Sequence, residues 1–281
     1  MIFHKPGFFN FFVHIPLIAK KSYNTKWRGF MNKKVKFLEE IGANGHVALN
    51  ILQYDGWILR FSNGYTRRAN SISVIYPSQL SPEEKVPVCE EYYKKQGLSC
   101  VFKITEEDAK LNKFLEARGY TQEAATSLMT VNLKDVDFSS DNPAVAIFFK
   151  TPKKEWLVPY FAFEGITNPK DQDTFKKMLS KVLAETVYGV IVANGKIVAC
   201  ASVAVERGYA LLQNVVVSPK YRTKGYGKLV CKKILEKAKE LGAKHAYLQV
   251  IHTNKAANYL YEDLGFTKEY EYWYMREPNE S

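Results

Sequence analysis

The chain has 281 residues, 46% hydrophobic and 14% aromatic, which is ample for packed cores and excludes an intrinsically disordered or fibrous chain. Lys and Arg number 40 against 29 Asp and Glu, a net charge of +11 that suits an anionic partner, yet the basic residues are spread among glutamates and no nucleic-acid reading motif accompanies them. The four cysteines, Cys89, Cys100, Cys200 and Cys231, form no C-x-x-C pair and have no histidines at metal spacing, so the expectation is a soluble protein of the reducing cytoplasm with no metal. Cys200 and Cys231 fall inside apolar patterns and read as buried thiols.

Residues 1–30 carry Phe8, Phe9, Phe11, Phe12, Val13, Ile15 and Leu17, interrupted by Asn10, His14 and Pro16. The run is too short and broken to span a membrane and has no small-residue cleavage site. It reads as a disordered extension, with a weak interfacial anchor as the alternative and Met31 as another possible start.

Residues 31–133 read as a first α/β unit. The pattern predicts a helix over 37–52, strands over 56–61 and 68–76 about an Asn63-Gly64 turn, and a helix from Ser81 to Lys95 opened by Ser-Pro-Glu-Glu. A strand over 101–104, a helix over 106–118 closed by Gly119 and a strand over 127–133 complete the unit. Residues 134–143, rich in Asp, Ser, Asn and Pro, form a linker.

The second unit covers 144–281. A strand over 145–149 precedes helices over 156–166 and 171–184; three strands then follow, over 187–193, 196–206 and 209–217, joined by turns at Asn194-Gly195 and Arg207-Gly208. The third strand feeds the loop 222–228, Arg-Thr-Lys-Gly-Tyr-Gly-Lys, which opens into an amphipathic helix ending at Gly242. Strand 245–251, helix 254–264 and strand 266–276 close the chain. A strand, a basic glycine loop and a helix start together favour an anion, because the first-turn N–H groups lack partners and the helix dipole is positive there. The loop is neither a P-loop, which would need Gly at Arg222 and Ser or Thr at Leu229, nor a Rossmann turn, which would need a small residue at Val230.

The R-x-x-G-x-G run Arg222 to Gly227 after a Val-rich strand resembles motif A of the GNAT superfamily of acyl-CoA-dependent N-acyltransferases. Asn254-Lys-Ala-Ala257-Asn-Tyr-Leu-Tyr261-Glu-Asp-Leu-Gly265-Phe266 is similar to the same family's motif B, and the element order from 144 onward matches its fold. The resemblance implies that Val215, Val217, Arg222, Thr223, Lys224, Gly225, Tyr226, Gly227, Lys228 and Asn254 bind acetyl-CoA, with pyrophosphate on the loop and the pantetheine arm along the strand. It also implies that Tyr261 is the general acid for transfer of the acetyl group to a primary amine. Asn254 is an ordinary helix cap as well. A non-catalytic acyl-CoA sensor is the alternative.

Setting Gly119 over Gly265 aligns Phe114-Leu-Glu-Ala-Arg-Gly-Tyr-Thr121 with Leu260-Tyr-Glu-Asp-Leu-Gly-Phe-Thr267, an internal repeat. The fold expected is therefore α/β, as two tandem GNAT-like units, each with a mixed, mostly antiparallel sheet flanked by helices. The first copy has Leu115 under Tyr261 and Ser-Gln-Leu-Ser-Pro-Glu-Glu-Lys over 78–85 in place of the glycine loop, so one active site per chain is expected. The general base is left open between Glu206, His252 and water. Arg67 and Arg68 belong either to a charged hairpin or to an acceptor site between the units. The sequence defines neither the acceptor amine nor the oligomeric state.

Overall fold

The computed structural model describes residues 32–278, and the expectation for 1–30 lies outside them. The first half runs α1 (Lys33–Gly45), β1 (Asn50–Tyr54), β2 (Trp57–Phe61), β3 (Ile72–Val74), α2 (Pro82–Lys95), β4 (Val101–Thr105), α3 (Ala109–Ala117) and β5 (Thr121–Asn132). The second runs β6 (Val145–Phe149), α4 (Lys154–Glu164), α5 (Pro169–Ser180), β7 (Glu185–Ala193), β8 (Lys196–Glu206), β9 (Tyr209–Val217), α6 (Tyr226–Glu240), β10 (His245–Ile251), α7 (Lys255–Asp263) and β11 (Thr267–Arg276).

Local chemistry accounts for most boundaries. Ser81 and Glu84 form a reciprocal capping box on α2 with Pro82 at its first position, and Asn168 caps α5 ahead of Pro169. The turns at Asn194-Gly195 and Arg207-Gly208 have positive φ at both residues, matching the twist of the hairpins they close. Asp55-Gly56 makes a third such turn, which shortens the helix expected over 37–52 to end at Gly45. The strand expected over 68–76 is instead a 3-10 turn at Arg67–Ala69 followed by three residues of β3. Asn70 enforces that break: its side-chain oxygen accepts from the N–H groups of Ser62 at 2.7 Å and Gly64 at 2.9 Å, while its amide donates to the Thr66 carbonyl at 2.7 Å.

Among the described residues, all eleven strands form one sheet in the order β1-β2-β3-β4-β11-β5-β10-β9-β8-β7-β6. Only β3–β4 and β9–β10 are parallel, each joined by a crossover helix, α2 and α6 respectively. The expectation of one sheet per unit needs correction on this point. The last strand of the second half, β11, lies between β4 and β5, and β5 lies between β11 and β10. Each half thus donates its final strand to the other's sheet, about a pseudo-twofold between β5 and β11.

The period-two alternation of strand side chains sorts the helices. On β8, Ala199, Ala201 and Val203 join Leu229, Ile234 and Leu235 of α6 in one core. Cys200 faces Trp156 and Phe175 of α4 and α5, and Ala204 faces Val35, Leu38 and Ile41 of α1. Phe102 and Ile104 of β4 pack with Val86 and Leu115 of α2 and α3. So α2, α3 and α6 cover one face while α1, α4 and α5 cover the other. Among the described residues no helix is long and apolar enough to cross a membrane.

Candidate active site

Parallel β9 and β10 pair only over 209–211 against 245–247, although β9 runs on to Val217 and β10 to Ile251. Past that point they part. Facing β8, the register shifts between Cys200–Val216 and Ser202–Gln213, so two residues of β9 oppose one of β8. Asn214 takes this bulge with φ at 57°, its amide donating to Ser202 Oγ at 2.8 Å and its oxygen accepting from the Tyr160 hydroxyl at 3.3 Å. A bulge re-aims the strand beyond it, and the residue so displaced is Val215.

The gap opens into a cavity of about 690 Å³ whose walls include Val215, Asn254 and Tyr261 of the second half and Tyr65, Arg67 and Arg68 of the first. Tyr261 is partly buried on α7 with its ring 6.0 Å from that of Phe266. Burial above all, with buried Cys231 nearby, pushes its phenol well above its ordinary pKa, while the charge of Arg68 opposes the rise. Cys200 and Cys231, both buried and free, have thiols pushed up to about 12 by burial.

The glycine loop joins β9 to α6. Arg222, Thr223 and Lys224 are exposed, and Gly225 enters α6 at φ 78°, a left-handed conformation in which a Cβ is strained. No side chain caps α6, in contrast to α1, α5 and α7, so its first-turn N–H groups keep their bonding capacity for an anion. A Cβ on Gly227 would stand 3.6 Å from Val217 and 3.4 Å from Leu260, which sets this helix start between β9 and α7. Lys228 Nζ also holds Asp263 at 2.7 Å. Asn254 caps α7, accepting from the Ala257 N–H at 3.1 Å.

Of the residues singled out from sequence, Val215, Asn254, Tyr261, Arg67 and Arg68 share the cavity, and Val217 and the loop 222–228 do not line it. Glu206 and His252 do not line it. Glu206 pairs with Tyr209 at the far end of β9, where it accepts from Asn44 at 3.1 Å and Arg207 at 3.2 Å. His252 lies 3.0 Å from Ser127 Oγ and 3.6 Å from Glu271.

Glu164, Tyr160 and Tyr274 also line the cavity, and sequence reasoning missed all three. Burial raises the Glu164 carboxyl above its ordinary value, with the charges of Arg222 and Arg68 opposing that rise. A carboxylate in the last turn of α4, beside the negative end of the helix dipole, is a signal that could have drawn attention to it.

A family model described as "Probable histone acetyltransferase Rv0428c C-terminal" matches residues 33–275. The "Uncharacterized N-acetyltransferase YobR" of Bacillus subtilis is 28% identical over 244 residues, 85% of this chain and 97% of that protein. The ribosomal protein bS18-alanine N-acetyltransferase of Escherichia coli is 35% identical over 75 residues, 27% of this chain and 51% of that enzyme. Among solved structures, a GCN5-related N-acetyltransferase from Kribbella flavida superimposes with a TM-score of 0.68 at 17% identity, covering 87% of this chain and 96% of that one. A tandem GNAT protein from the clavulanic acid biosynthesis pathway gives 0.60 at 14% identity, covering 90% and 91%.

Proposed function

Since the chain belongs to the family of probable histone acetyltransferase Rv0428c C-terminal regions, and with it to the GNAT superfamily of acyl-CoA-dependent N-acyltransferases, we propose that it moves the acetyl group of acetyl-CoA to a primary amine by direct attack. The observation that carries this reading is the parting of β9 and β10, which gathers Val215 and Tyr261 at one cavity, while the uncapped start of α6 packs against Val217 of β9 and Leu260 of α7.

In this reading the loop 222–228 and the first N–H groups of α6 hold the pyrophosphate, Arg222, Lys224 and Lys228 adding positive charge. The free edge of β9 pairs with the pantetheine arm at Val215 and Val217, and a backbone N–H beside the bulge polarises the thioester carbonyl. The neutral amine enters from the opposite side of the gap and its nitrogen bonds to the carbonyl carbon. The C–S bond then breaks, the thiolate takes the Tyr261 proton, and the new amide nitrogen gives up a proton to Glu164, directly or through water. A phenol held above its ordinary pKa stays protonated at neutral pH and so remains a donor to a thiolate whose conjugate acid lies near ~8.5. Glu164 takes the place left open for a base because it lines the cavity, whereas Glu206 and His252 do not.

The test is thiol release from acetyl-CoA across an amine library, with acetyl-CoA binding measured separately by calorimetry. Turnover with one acceptor class is expected. Binding of acetyl-CoA with no acceptor turned over would favour the sensor alternative, and no binding would remove the reading.

A further inference from the structure

Three arginines, Arg67, Arg68 and Arg276, line the cavity. Two of them are neutralised by one carboxylate: Glu123 Oε1 receives Arg67 Nε at 2.8 Å and an Arg276 guanidinium nitrogen at 2.8 Å. The Arg68 side chain has no such partner among the described residues; it makes no ion pair or hydrogen bond, and no aromatic ring lies under it. Its backbone, by contrast, is fixed. The Arg68 carbonyl accepts from buried Arg60 at 2.7 Å, and the loop around it is pinned by Asn70 and by the bond from Asn63 to Thr174 of α5 at 3.1 Å.

A half-buried guanidinium without a counter-ion is costly unless something outside the chain supplies one. The position of this one is telling. It lines the cavity, where its charge is felt by Tyr65, Tyr160, Glu164, Tyr261 and Tyr274, and it also borders a small pocket with His46 and Arg60 on its other side. The Tyr274 hydroxyl on the same wall is buried, with Tyr272 as its nearest polar neighbour. Glu164, the one acid lining the cavity among the described residues, makes no ion pair with Arg68. The wall therefore carries a cation and a carboxylate that act on each other through space but form no ion pair.

Resting on the acetyltransferase reading above, we infer that the acceptor is a small amine that also carries a carboxylate, of the amino-acid class, with Arg68 holding the carboxylate in the cavity between the two halves while the amino group faces Glu164 and Val215. A guanidinium matches a carboxylate in a two-pronged geometry, and a zwitterion would satisfy both unpaired groups at once. A protein lysine side chain, whose own carboxyl is tied up in a peptide bond, gives Arg68 nothing to hold.

The experiment uses matched acceptors, a panel of amino acids against the corresponding amino-acid amides and decarboxylated amines, with the native chain and Arg68→Gln. Thiol release should show kcat/KM at least about tenfold higher for the carboxylated member of the best pair, carried mainly by KM, and Arg68→Gln should bring that ratio close to one. In parallel, the native chain saturated with coenzyme A should gain thermal stability from the amino acid but not from its amide, a shift that Arg68→Gln loses. Calorimetric affinity for acetyl-CoA, unaltered in the variant, shows that it is folded. A ratio near one in the native chain, or a ratio that survives Arg68→Gln, overturns the inference while leaving the acetyltransferase reading intact. Failure of every acceptor to react, with acetyl-CoA bound and no amino acid raising stability, removes both.

Discussion

At the scale of single residues, two side chains carry definite expectations. Tyr261→Phe removes the proposed proton donor and keeps the ring that packs on Phe266. It should lower kcat by roughly a hundredfold or more with acetyl-CoA affinity unchanged, measured by thiol release and calorimetry. Because burial holds the phenol above its ordinary pKa, kcat should show no alkaline decline below pH ~10, the range in which a free tyrosine ionises. In the first half, the backbone N–H groups of Gln79 and Leu80, which correspond in place to the glycine loop, are taken by the Asp55 carboxylate at 2.9 Å, and Lys85 Nζ stands 3.1 Å from it. An internal anion occupies the position where the second half would receive pyrophosphate. Burial works to raise the Asp55 pKa, but these hydrogen bonds and Lys85 outweigh it and hold the carboxyl below its ordinary 3.8. A depressed folded-state pKa contributes stability above the unfolded value that disappears as pH falls below it. Asp55→Asn should therefore cost about 1–3 kcal/mol at neutral pH and less in acid, read by denaturant unfolding at both.

At the scale of elements, the start of α6 and the seat of α1 matter most. Gly225 has φ 78° and open space around it, so Gly225→Ala strains only the backbone, by about 1–2 kcal/mol. Gly225→Glu adds a negative charge at the same spot and should abolish measurable acetyl-CoA binding, whereas an equal loss in the Ala variant would mean that the loop's shape, not its charge, decides. Gly189 answers to a different constraint, since a Cβ there would stand 2.9 Å from Ile234 where α6 crosses β7. Helix α1 is fastened by a buried group: Lys103 Nζ reaches both Glu39 oxygens at 2.6 and 2.7 Å, Tyr270 donates to Glu39 at 2.6 Å, and Lys103 lies 3.9 Å over the Tyr272 ring. Removing one partner of such a buried pair leaves the other charged and unpaired, so Glu39→Ala should destabilise the fold by about 3–5 kcal/mol, measured by chemical denaturation.

At the scale of the whole molecule, the exchange of β5 and β11 makes the two halves mutually dependent. Residues 134–281 alone would lack β5, the strand that lies between β10 and β11, leaving long unpaired edges. That fragment is expected to show no cooperative unfolding, and the full chain to melt in a single calorimetric transition. Two resolved transitions, or a folded fragment, would show that the halves are independent despite the shared sheet. Arg67 and Arg68 of the first half line the same cavity as Tyr261 of the second, so the cavity wall is built from both.

Patterns local in sequence were legible from it: the alternation of strands and helices, the capped start of α2, the Asn-Gly and Arg-Gly hairpins, and the loop and helix that carry Gly225 and Tyr261. Each is set by neighbours within a few residues, through backbone preference, side-chain capping and periodic burial. What the tertiary structure alone decided is non-local. The swap of β5 and β11 leaves each strand's own apolar alternation unchanged, because a strand reads the same whichever partner it pairs with. The bulge at Asn214 shows in sequence only as a polar residue ahead of a valine run, and the parting of β9 from β10 depends on where their pairing stops. Glu164 and Arg68 stand 96 positions apart in the numbering, and only folding sets them on one wall, where the charge each leaves unpaired becomes visible.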